Sequence, residues 1–145
     1  MTIAKQETPI TAAFFERFEE LHPKSEYFVM THQDVRKSGY PDRSIHGYGH
    51  STFWEFKHAT PNFSSPGLQE ITCARLAVHT YCRHVLFVET ETERRIMIAH
   101  PREVFQKHGK LKRIAAEVEF DGHDFDKLAA FIHAIHKSYV LRPSF

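Results

Sequence analysis

Three charged side chains stand where a sheet protein is expected to bury apolar strands. Asp42 follows Pro41, and Glu55 and Lys57 alternate with large aromatics in Phe53-Trp54-Glu55-Phe56-Lys57. Carboxylates are the hard oxygen ligands that Mg²⁺ or Mn²⁺ prefers. If Asp42 and Glu55 face each other across an antiparallel hairpin, the midpoint falls between Tyr48 and Gly49. The segment His46-Gly47-Tyr48-Gly49-His50 supplies there the glycines that a tight turn wants. This register sets two carboxylates side by side on one face. Lys57 points the same way, while Trp54 and Phe56 point to the other face. Two like charges directly opposite destabilise a hairpin unless something positive sits between them, and a divalent cation and Lys57 would both serve. The competing reading is an edge hairpin with one wet face. Asp42 is then a turn residue, and Glu55 and Lys57 form a weak surface ion pair.

Other elements must hold such a hairpin. Ile10, Phe14, Phe18 and Leu21 recur at helical spacing ahead of Pro23 and predict a first helix. Glu26–Thr31 reads as a strand, and the polar run from His32 leads into the hairpin. After a Pro- and Ser-rich loop, Ser65-Pro66 offers an N-cap and a first-turn proline for a helix from about Pro66 to Cys82. "HVLFVE" and "RRIMIAH" read as strands, and a short helical stretch follows Pro101. A last helix follows Asp121-Gly122, with Leu128, Phe131, Ile132 and Ile135 as its apolar stripe. The order αβββαββ followed by helices is an α/β plan, one sheet flanked by helices. With 145 residues and no repeat or linker, a single domain over residues 1–145 is the simplest organisation.

Composition excludes several classes. Hydrophobic residues make up 41% and aromatics 13%, which argues for a packed fold over disorder. No apolar run approaches bilayer-spanning length, and no charged-then-apolar leader is seen at the start. Cys73 and Cys82 lie nine positions apart on the one predicted helix, half a turn off, and are expected to stay unpaired. Two free thiols suit a reducing cytoplasm. The net charge of +1 is unevenly spread, with nine basic against four acidic residues between Ile71 and Arg113, ending in "KHGKLKR". Such a patch suits a polyanionic partner, with a plain solvated face as the equal alternative. Among the twelve histidines, His46/His50 and His133/His136 have ligand-like spacings. No Cys or His pair completes either into a structural zinc site, and His133, on the flank of the last helix's stripe, is read as packed.

The pairing of Pro41-Asp42 with Glu55-Phe56-Lys57, across a gap of twelve residues, resembles the PD-(D/E)xK nuclease superfamily. Within it, the run "SGYPD…FWEFKHA…LQ…ARL" looks most like the VRR-NUC and Holliday-junction-resolvase-like branch. A Gly-x-Pro-Asp segment there precedes the hairpin, and a helix carrying a glutamine, here Gln69, follows the lysine. The likeness covers roughly residues 12–98 and leaves 99–145 as a C-terminal extension. It implies a restriction-endonuclease-like αβββαβ core, with a mixed central sheet flanked by helices and an extra C-terminal helix. It further implies that Asp42 and Glu55 hold Mg²⁺ or Mn²⁺, helped by the backbone carbonyl of Phe56. Lys57 would orient or deprotonate water and stabilise charge on phosphate, and Gln69 would steady water or phosphate at its helix start. The expected activity is that of an endonuclease hydrolysing phosphodiester bonds in DNA. Structure- or end-specific cutting is expected, because no recognition helix or large specificity domain is evident. Arg94, Arg95, Lys107, Lys110, Lys112 and Arg113 would meet the DNA backbone by counterion release. By analogy, a homodimer would match the two strands of a duplex. The alternative is a nucleic-acid-binding or assembly module on the same fold that does not cut.

Overall fold

Arg43–Gly47 (β2) and His50–Ala59 (β3) form an antiparallel hairpin in the expected register, with Arg43 facing Trp54 and Gly47 facing His50. Tyr48 and Gly49 make the two-residue turn, both at positive φ (55° and 77°), the backbone sense that matches the twist of the flanking strands. The computed structural model describes residues 8–32, 40–60, 67–107 and 110–140, of which 67–70 are described by backbone alone.

A side chain at Gly47 has no room. A Cβ there would lie 2.4 and 2.6 Å from carbons of the Tyr27 ring, which is itself buried in the core. Gly47→Ala is therefore expected to destabilise the fold by about 1–3 kcal/mol, the usual cost of overpacking. A lower urea midpoint at unchanged slope would register it.

The hairpin sits inside a six-stranded sheet of order β1-β2-β3-β4-β5-β6, completed by Phe28–Thr31 (β1), Tyr81–Glu89 (β4), Arg94–Ala99 (β5) and Val118–Asp121 (β6). Among the described strands only β3 and β4 run parallel; the other neighbours are antiparallel. A parallel pair needs a long crossover, and the helix Gly67–His79 (α2) supplies it. Helices Pro9–Leu21 (α1) and Phe125–Val140 (α4) pack against each other over one face of the sheet. Phe14, Phe18, Leu128 and Ile132 from these helices join Trp54, Phe56, Val85, Phe87 and Ile98 in one apolar cluster. On the opposite face α2 packs on β4 and on the short helix Pro101–Gln106 (α3). Ala59, Leu86, Val88, Met97, Val104 and Ile114 form a second cluster there.

The structure departs from the sequence reading at several points. The helix expected to reach Cys82 ends at His79, and Tyr81 to Glu89 is strand. Within it, Val85–Val88 is buried on both faces of the sheet and reads as continuously apolar rather than alternating. Cys73 and Cys82 therefore lie on different elements, and both are buried and free of disulfides. β6 was not anticipated: four residues, half of them exposed, carry too little periodicity to announce an edge strand. Beyond residue 98, Val104 and Ile114 pack in the second cluster and Leu128, Ala129 and Ile132 in the first. Within α4 the stripe is rotated from the expected one. His136 is buried in it, bonded to Thr52 Oγ1 at 2.9 Å and to the Gly47 carbonyl at 3.0 Å, whereas Phe131 and Ile135 are only half-buried. No described helix is long and apolar enough to cross a membrane.

Candidate active site

Side chains alternate along β3. Trp54 and Phe56 enter the α1/α4 core, and Glu55 and Lys57 project with Ala59 toward the α2/α3 side. β3 is an interior strand and Glu55 is 0% exposed, so the wet-face reading does not hold for it. A buried carboxylate needs partners, because its desolvation otherwise costs several kcal/mol. Glu55 Oε1 accepts the backbone N–H of Asp42 at 2.9 Å, and Lys57 Nζ lies 3.7 Å from Glu55 Oε2. Asp42, only 8% exposed, reciprocates: its Oδ1 accepts the N–H of Phe56 at 3.3 Å. The two carboxylates thus cross-link the open end of the hairpin, one residue beyond the last paired position, Arg43–Trp54. A strand residue directs its N–H and C=O to the same side, so the Phe56 carbonyl faces the side from which Asp42 approaches. Two carboxylates and a carbonyl are hard oxygen donors, and Mg²⁺ commonly binds through one or two carboxylates while keeping several waters. The donor set fits such an ion.

Three further residues close around this group. Arg43 is buried, donates from Nη1 to the Asp42 carbonyl at 3.0 Å, and lies 5.1 Å above the Phe15 ring. Burial holds its guanidinium below its usual range, and the nearby Glu55 carboxylate opposes that shift. His32 donates its backbone N–H to the same Asp42 carbonyl at 2.8 Å. Its Nε2 starts a chain through Ser44 Oγ (2.8 Å) and His46 (2.8 Å) to Ser51 Oγ (2.6 Å). His84, fully buried, is the β4 residue paired with Glu55 in the parallel ladder. None of the three stood out in the sequence. For Arg43 and His84 the available signal was a charged or polar residue inside a strand, next to the motif in chain or ladder.

The remaining expected site residues are spread out. Gln69 lies in the first turn of α2, and its side chain falls outside the described residues. Arg94 and Arg95 open β5, at the end of the sheet away from Glu55, where Ala99, not Arg95, lies in the row of His84 and Glu55. Four residues of strand separate Arg95 from that row, about 13 Å at about 3.3 Å each. Both arginines also pair with carboxylates, Arg94 with Glu89 at 2.6 Å and Arg95 with Glu119 at 2.6 Å. Lys107 caps α3, while Lys110, Lys112 and Arg113 stand exposed on and beside the 3₁₀ turn Leu111–Arg113. That turn packs through Leu111 onto the second cluster, the same side of the sheet as Glu55.

No family model matches this chain, and no curated protein does.

Proposed function

We propose that this chain is a metal-dependent nuclease of the PD-(D/E)xK type, hydrolysing phosphodiester bonds in DNA. The observation that carries the reading is the reciprocal pairing of Asp42 and Glu55 on an interior hairpin, with Lys57 beside Glu55. The order α1-β1-β2-β3-α2-β4 supports it, because it follows the αβββαβ core that the motif resemblance implies.

In this reading Asp42, Glu55 and the Phe56 carbonyl hold Mg²⁺ or Mn²⁺. When bound, the ion acidifies an attacking water and clamps phosphate oxygens. Lys57, kept in place by Glu55, donates to the water or to a phosphate oxygen and offsets the charge that develops there. Water adds to phosphorus as the bond to one sugar oxygen breaks, leaving a phosphate monoester and an alcohol. Lys110, Lys112 and Arg113, exposed on the same side of the sheet, are the basic residues best placed to hold the backbone. A non-cutting nucleic-acid-binding module is the second reading. It is favoured by one observation: each carboxylate already accepts a backbone N–H, so the hairpin closes without an ion.

Incubation with single strands, duplexes, flaps and four-way junctions, each with Mg²⁺, Mn²⁺ or EDTA, separates the two. Cutting with either ion and none in EDTA is the expected result. Binding without cutting under all three conditions favours the module, and neither binding nor cutting overturns both readings.

A further inference from the structure

We infer that His22, Glu26 and His133 form a second metal site, suited to Zn²⁺, on the α1/α4 side of the sheet. One ligand atom from each residue lies within 4.8 Å of the others, and all three residues are half-buried. Each comes from a different place in the chain: His22 caps the C-terminal end of α1, Glu26 lies in the turn before β1, and His133 lies in α4. Two imidazoles and a carboxylate are a donor set that zinc accepts, leaving a fourth position for water.

The surrounding bonds hold these groups as outer partners hold metal ligands. The Tyr48 hydroxyl donates to Glu26 Oε2 at 2.8 Å, and Glu26 Oε1 meets His22 Nδ1. The Tyr27 hydroxyl bonds His133 Nδ1 at 2.8 Å, which turns Nε2 of that ring to other use. The two imidazole rings lie 4.6 Å apart at 31°. His22 and Tyr27 also line a cavity of about 440 Å³ bounded by Lys24 and Arg43.

The test is zinc titration of the untagged protein in competition with a chromophoric chelator. Wild type is compared with His133→Gln, Glu26→Gln and Asp42→Asn. One zinc per chain is expected in wild type and in Asp42→Asn, with affinity falling by about 100-fold or more in the other two. At a hundredfold excess over Kd, zinc should raise the wild-type Tm by about 5–10 °C and leave His133→Gln unmoved. Absence of tight zinc in wild type overturns the inference, as does unchanged affinity in His133→Gln. Loss of zinc in Asp42→Asn also overturns it, since the ion would then belong to the hairpin. Should His133→Gln fail to fold, Tyr27→Phe keeps every ligand. It should weaken binding about 10–100-fold, and unchanged affinity there would contradict the site.

Discussion

Lys57→Ala is expected to slow single-turnover DNA cleavage by about 10²–10⁴-fold, the range for losing a general acid–base group or a preorganised donor at the reacting centre. The side chain is well placed for such a role. It is only 16% exposed, and its Nζ is held 3.7 Å from Glu55 Oε2, within the group that Asp42 completes. Removing it also takes away a cation held beside a buried carboxylate, which costs up to about 3–5 kcal/mol of stability. The two effects separate. Saturating Mg²⁺ should restore much of the stability, because the ion supplies the missing positive charge, but should not restore the rate. Lys57→Arg keeps the charge while replacing a point charge with a planar fork, so it should recover stability more than rate. Cleavage by Lys57→Ala at the wild-type rate would remove Lys57 from the chemistry.

Phe14→Ala is expected to cost about 3–5 kcal/mol, among the largest losses for any single truncation in the chain. Phe14 is 0% exposed and joins four elements. Its ring centroid lies 5.0 Å from Phe15, 5.9 Å from Phe18, 5.8 Å from Phe56, 6.4 Å from Phe87 and 5.7 Å from Phe125. No neighbouring side chain can fill such a hole without breaking its own ring contacts. The loss bears on the site as well, because Phe56 is the residue between Glu55 and Lys57, and Phe14 supports it from behind. Denaturant titration should show the lower midpoint, and a cost below about 1 kcal/mol would mean that the aromatic cluster repacks freely.

The hairpin was legible because two independent features agreed. The glycines of 47–49 and the spacing of Asp42 and Glu55 specify one midpoint, and the turn forms there. The first helix was legible for a similar reason, its Phe14–Phe18 stripe being long and uninterrupted before Pro23. Where α2 gives way to β4, no glycine or proline marks the change, so Tyr81 and Cys82 read as more helix. His84 and Arg43 escaped notice because periodicity says where apolar residues go and nothing of a polar side chain buried beside them. The basic excess between Ile71 and Arg113 was misleading in part. Counting charges cannot see that Arg94 meets Glu89 and Arg95 meets Glu119 across neighbouring strands. His22, Glu26 and His133 were out of reach for another reason: no local spacing links the end of α1 to the middle of α4.

The nuclease proposal is tested most directly by one comparison, cleavage of the preferred nucleic acid by wild type and by Asp42→Asn in Mg²⁺. Asn keeps an acceptor for the Phe56 N–H, so the hairpin should stay closed, while the charge that would hold the ion is gone. Magnesium-dependent cutting by wild type and none by a folded Asp42→Asn is the predicted result. Equal cutting by both proteins, or cutting that EDTA leaves untouched, would contradict it.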